Sequence, residues 1–115
     1  MRLRTDFWVG VLRRRAEAAG AYVSVARSGA AEAGAVFVAV RGADGLMDLY
    51  GPAPQSVFLD APAADRLFAL LTSGQSEEEI RDRMTREIRF DPDLWQIDIE
   101  DREKRSFLDV IGGPV

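Results

Sequence analysis

The sequence predicts an α+β fold: an antiparallel sheet of four or five strands covered by an N-terminal helix and a central helical pair. Three observations predict it. Short strand-like runs with turn signals between them occupy residues 21–50, a helical period takes over from Asp60, and an alternating run returns at Leu94–Glu100. At 115 residues, with 47% hydrophobic and 30% charged side chains, the chain reads as a single domain, 1–115, with a core of its own.

Thr5 or Asp6 caps a first helix that begins at Phe7 and stops before Gly20, a residue suited to the left-handed position past a helix end. Ala21–Arg27 and Ala35–Arg41 read as strands separated by the small-residue segment Ser28–Gly34. Ala35–Val40 is apolar at every position, which places it inside the sheet with both faces covered. Asp44-Gly45 is a hairpin signal and leads into a strand at Leu46–Tyr50. Gly51-Pro52-Ala53-Pro54 ends that strand, and Gln55–Leu59 reads as a short further one.

From Pro62 to Ser73 the stripe Ala64, Leu67, Phe68 and Leu71 predicts a helix closed by Gly74. Ser76 and Glu79 form a capping box for a second helix, Glu77–Arg89, with Ile80, Met84 and Ile88 as its buried edge. Glu77–Arg81, Glu79–Arg83 and Asp82–Arg86 are acid-before-base pairs at helical spacing. Trp95, Ile97 and Ile99 alternate with Gln96, Asp98 and Glu100, as on a strand with one wet face. Phe107–Ile111 reads as a last short strand or a helical turn. Hairpin-length links early and two helices before the final strand favour segregated elements over a βαβ crossover, with strand order open.

The absences restrict the chemistry. With no cysteine and no histidine, disulfides, thiol nucleophiles, thiolate zinc sites, a Ser-His-Asp triad and an imidazole base are all excluded. No cofactor is expected. The apolar run Phe7–Leu12 behind Arg2 and Arg4 stops at Arg13-Arg14-Arg15, too short for a secretory segment, and no stretch approaches the length of a membrane span. A cytoplasmic location is the resulting expectation.

Net charge is −4, made of +1 over residues 1–60 and −5 over residues 61–115. The N-terminal arginines suggest an anion-binding arm or, more simply, a basic segment neutralised by the acidic half. Phe7, Trp8, Val11, Leu12, Ala18 and Ala19 fill one arc of the first helix, and Arg15 falls near its middle. A core-facing guanidinium needs an anion, so a buried ion-pair cluster of Arg15 with Asp98, Glu100 or Asp101 is expected, against plain snorkelling to water. The acids Asp91, Asp93, Asp98, Glu100 and Asp101 are candidates for Mg²⁺, Mn²⁺ or Ca²⁺, but they break the EF-hand pattern, and a solvated strand face with a turn explains them. A helix-turn-helix reading puts Glu77-Glu78-Glu79 against phosphates, so no DNA partner is expected. Gly42-Ala43-Asp44-Gly45 lacks the spacing of a phosphate loop.

Several segments together resemble a family of short uncharacterised bacterial proteins, a domain of unknown function. They are Arg2-Leu-Arg-Thr5, Phe7-Trp-Val9, Leu12-Arg-Arg14, Glu32-Ala-Gly-Ala-Val-Phe-Val38, Leu49-Tyr-Gly-Pro-Ala-Pro-Gln-Ser56, Arg86-Glu, Arg89-Phe-Asp-Pro-Asp-Leu-Trp95 and Ile99-Glu-Asp101. The resemblance implies a single-domain bacterial protein and carries no catalytic residues across.

The function stays unknown at this level, with a non-catalytic protein-interaction or regulatory module as the leading expectation, binding another protein or itself. Trp8, Trp95, Tyr50 and Phe107 suggest it, as apolar material beyond what a narrow core needs. The alternative is a carboxylate-based enzyme, with or without a divalent cation, in the Asp91–Asp101 region. RNA or anionic-surface binding through Arg2, Arg4, Arg13 and Arg14 beside Trp8 ranks behind both.

Overall fold

The computed structural model describes residues 3–54 and 66–112. Its elements are α1 (Thr5–Ala18), β1 (Tyr22–Arg27), β2 (Val36–Arg41), β3 (Met47–Pro52), β4 (Phe68–Gln75), α2 (Glu77–Phe90) and β5 (Trp95–Glu100). They form an α+β fold around a five-stranded sheet of order β1-β5-β2-β3-β4. All neighbours are antiparallel except β2 and β5, which run parallel.

β2 organises the rest. A strand apolar on both faces stays dry only between two layers, and it has them. Val36, Val38 and Val40 join Val9, Leu12 and Ala16 of α1 on one side, while Phe37 and Ala39 join Ile80 and Met84 of α2 on the other. The expected hairpin follows it: Gly45 takes φ +82° and Gly42 donates to the carbonyl of Leu46 at 3.1 Å. The capping box of α2 also forms, with Ser76 Oγ accepting from the Glu79 amide at 3.1 Å.

Other expectations need correction. The helix read over Pro62–Ser73 is, where described, strand β4, so the central helical pair is one helix. Leu67–Leu71 is an unbroken apolar run that suits a strand as well as a helix, and pairing with the open side of β3 decides between them. Gln55–Leu59, Pro62 and Ala64 lie outside the described residues. Because β4 and β2 both run opposite to β3, β4 shares the direction of β2 and β5, and β4–α2–β5 is a crossover rather than a segregated arrangement. Phe107–Ile111 is neither strand nor helix. It makes an isolated parallel bridge, Val110 to Phe68, with the Phe68 amide donating to Asp109 at 2.9 Å and the Ile111 amide to Phe68 at 2.8 Å.

The start of α1 also differs. Arg4 occupies the cap position without a side-chain cap, and the Thr5 and Asp6 amides donate instead to the carbonyls of Glu32 and Ala31 in the β1–β2 loop. That loop lies tight against β5. A Cβ at Gly34 would come 2.5 Å from the Asp93 carbonyl oxygen and 2.8 Å from the Trp95 ring, so only glycine fits.

Candidate functional site

Coverage of the sheet is unequal. α1 and residues Phe107 and Leu108 pack on one face, and α2 covers β2 and β3 on the other. On the α2 side of β1 and β5 a shelf is left over, formed by Tyr22, Ser24, Gln96, Asp98 and Glu100. Register places Tyr22 beside Glu100 and Ser24 beside Asp98. The period of two in both strands puts these residues on the face opposite Val23, Ile97 and Ile99, which are buried under α1.

Three connected clefts run across this shelf. One of about 200 Å³ holds Tyr22, Ser24, Arg41, Glu77, Asp98 and Glu100. Sharing Met47, Glu77 and Asp98 with it, a second of about 240 Å³ continues along Ile80 and Met84 of α2. Sharing Tyr22, Arg41 and Glu100, a third of about 690 Å³ opens past Gly42 to Asp101 and Arg105.

Arg41 is the cation of the first cleft, and Arg81 of α2 lines the second. Arg41 stands 3.6 Å from Glu77 and 3.5 Å from Glu100 and donates to the Gly45 carbonyl. Asp98 is half-buried and accepts from Gln96 Nε2 at 3.0 Å. Burial pushes its carboxyl above the ordinary carboxylate range; Gln96 and Arg41 oppose that push, while Glu77 and Glu100 add to it. Tyr22 is 69% exposed and forms the shelf's rim on β1.

The structure separates the residues expected to cluster around Arg15. α1 buries Thr5, Val9, Leu12 and Ala16, a face rotated from the expected arc, so Phe7, Ala18 and Ala19 are exposed. Arg15 stands exposed on the flank and donates to the Phe107 carbonyl at 3.3 Å. Asp98 and Glu100 lie across the sheet from α1. Asp101 is the buried acid, and the guanidinium it holds is that of Arg105, at 2.8 and 2.9 Å. That hydrogen-bonded pair, with the Arg105 amide, lowers the Asp101 carboxyl to about 2. Arg105 reaches on to the Ala19 carbonyl, tying β5 to the end of α1.

The other candidates also find places. Trp8, Trp95, Tyr50 and Phe107 all pack in or against the core, so they are not surplus. The exposed aromatics among the described residues are Tyr22, Phe7 and Phe90. Among the N-terminal arginines, Arg4 pairs with Asp6 and Glu32, and Arg13 with Glu17, partners that lie within the first half of the chain. Arg2 lies outside the described residues. Trp8 stacks on Phe68 with Arg66 over its ring, a geometry that removes it from base stacking. Asp91 turns back to accept from the Asp93 amide. Among the described residues no three acidic side chains converge as a metal site, and no helix is long and apolar enough to cross a membrane.

Comparison with known proteins adds the family. No curated protein matches the chain. Protein Atu0922 from A. tumefaciens, known as a solution structure, is 44% identical over 99% of this chain and 98% of its own, with a TM-score of 0.84. A DUF1491 family protein from Caulobacter crescentus CB15 is 38% identical, with TM-scores of 0.78 to its crystal structure and 0.79 to its NMR structure. These cover 96% of this chain and 98% and 97% of theirs. A family model described as a protein of unknown function, DUF1491, matches residues 3–109, and the chain belongs to that family.

Proposed function

We propose that the protein is a non-catalytic protein-interaction module that takes an extended polypeptide segment along β1 as a sixth strand. One observation carries the reading: the two edges of the sheet are treated differently. β4 is blunted by two register shifts against β3, by Gly74 at φ +65° and by the bridge to Val110. β1 is regular from Tyr22 to Val25, carries one register shift beyond that, between Val25 and Arg27, and, among the described residues, pairs only with β5. An edge of that kind offers a row of amides and carbonyls to a partner strand.

Titrating the ¹⁵N-labelled protein with an octapeptide of alternating valine and threonine tests this. Amide shifts are expected at Tyr22–Val25, and shifts elsewhere, or none, overturn it. Successive amides of an antiparallel strand point to opposite sides, so one of Ser24→Pro and Val25→Pro blocks only the outer edge. That variant is expected to stay folded and lose the peptide.

A second reading, a carboxylate enzyme, draws support from Asp98, an acid desolvated inside a cleft. Its cation-dependent form predicts a rise in melting midpoint with millimolar Mg²⁺, Mn²⁺ or Ca²⁺. An unchanged midpoint removes that form.

A further inference from the structure

Resting on the edge-pairing reading, we infer that the incoming segment is basic and presents a lysine or arginine opposite Ser24, whose cation crosses Ser24 to meet Asp98. The geometry selects this chemistry. Strands are spaced about 4.8 Å apart, so a residue added opposite Ser24 lies about 10 Å from Asp98, which sits beside Ser24 on β5. Ser24 is small and exposed, and leaves the lane between them open. A long stem ending in a charge spans that gap; a short side chain falls short of it. One position along, Tyr22 stands in front of Glu100 and offers a ring face to the same kind of stem.

Charge points the same way. The connected clefts hold Glu77, Asp98 and Glu100 against Arg41 and Arg81. Arg41 is already paired with Glu77 and Glu100, so Asp98 is the shelf carboxylate that, among the described residues, no salt bridge engages. Asp98 is desolvated, and the hydrogen bond it accepts comes from the neutral amide of Gln96 rather than from a cation. An arriving ammonium or guanidinium supplies the charge Asp98 favours, while an acidic segment meets that carboxylate with no salt bridge to offset it. The β1 edge therefore discriminates between segments that pair equally well through their backbones.

Three alternating Val/Thr octapeptides, differing only in a central lysine, norleucine or glutamate, separate the possibilities in a titration of the full chain. The lysine peptide is expected to bind about tenfold more tightly than the norleucine peptide, moving the Ser24 and Asp98 amides, with the glutamate peptide weakest. Asp98→Asn is expected to erase the lysine preference while norleucine binding persists. Ser24→Lys, which brings its own ammonium to Asp98, is expected to do the same from the other side, so a folding defect in either variant leaves the other to decide. Equal binding of all three peptides overturns the cation while leaving edge pairing intact. No shift at β1 with any peptide overturns both. Concentration-dependent dimerisation that shifts the β1 amides assigns the edge to a second copy and overturns the basic segment.

Discussion

Asp98 and Asp101 stand three residues apart in opposite electrostatic settings. Asp98 gains little compensation for its burial, while Asp101 receives the Arg105 side chain and backbone amide. The folded Asp101 carboxyl, at about 2, lies below its ordinary value of 3.8, so its contribution to stability is fully present above that value and is lost as the pH falls toward 2. Asp101→Asn should lower stability at pH 7 and flatten the acid limb between about pH 4 and 2, measured by urea unfolding across that range. The sequence shows an arginine four residues after Asp101 but not that they meet. Their loop holds Lys104 and Phe107 at φ +57° and +61°, where neither glycine nor asparagine marks the turn. Arg15 misled for a related reason. The buried face of α1 includes Thr5, whose hydroxyl donates to the Gly34 carbonyl, and a polar residue at the centre of a helix's inner face hides its orientation.

At the scale of the element, legibility followed how many structures a pattern allows. β2 is apolar from Val36 to Val40, β5 alternates, and α2 carries a capping box with an edge at Ile80 and Met84, so each pattern selects one outcome. Ser76→Ala removes the acceptor for the Glu79 amide and should cost about 1 kcal/mol in chemical denaturation, with the α2 fold retained. β4 was illegible because its local pattern satisfies both periods, and what settles it, the unpaired side of β3, is elsewhere in the chain. None of the three expected helix pairs forms: Arg83 bonds forward to Glu87, Glu79 closes the capping box, and Glu77 is drawn away to Arg41.

The whole molecule is a sheet stabilised independently on its two faces. Leu12 serves the α1 side and Met84 the α2 side, with the sheet between them. Leu12→Ala and Met84→Ala should each cost about 2–5 kcal/mol, and the double variant should lose their sum to within about 0.5 kcal/mol. A shortfall in urea unfolding would show that the layers are coupled. Strand order was not readable, because β5 enters between β1 and β2 through parallel and antiparallel ladders that leave no mark on local pattern. The shelf was half readable: alternation put Asp98 and Glu100 on one face, while only the strand order brings Tyr22 and Ser24 beside them. This insertion has a consequence during synthesis. Arg27 emerges from the ribosome 73 residues before Glu100, a lag of roughly 4–15 s at about 5–20 residues per second. Until β5 arrives, β1 lacks the strand it pairs with in the finished sheet, and a nascent chain halted before Trp95 keeps Val23 and Val38 without the strand that joins them.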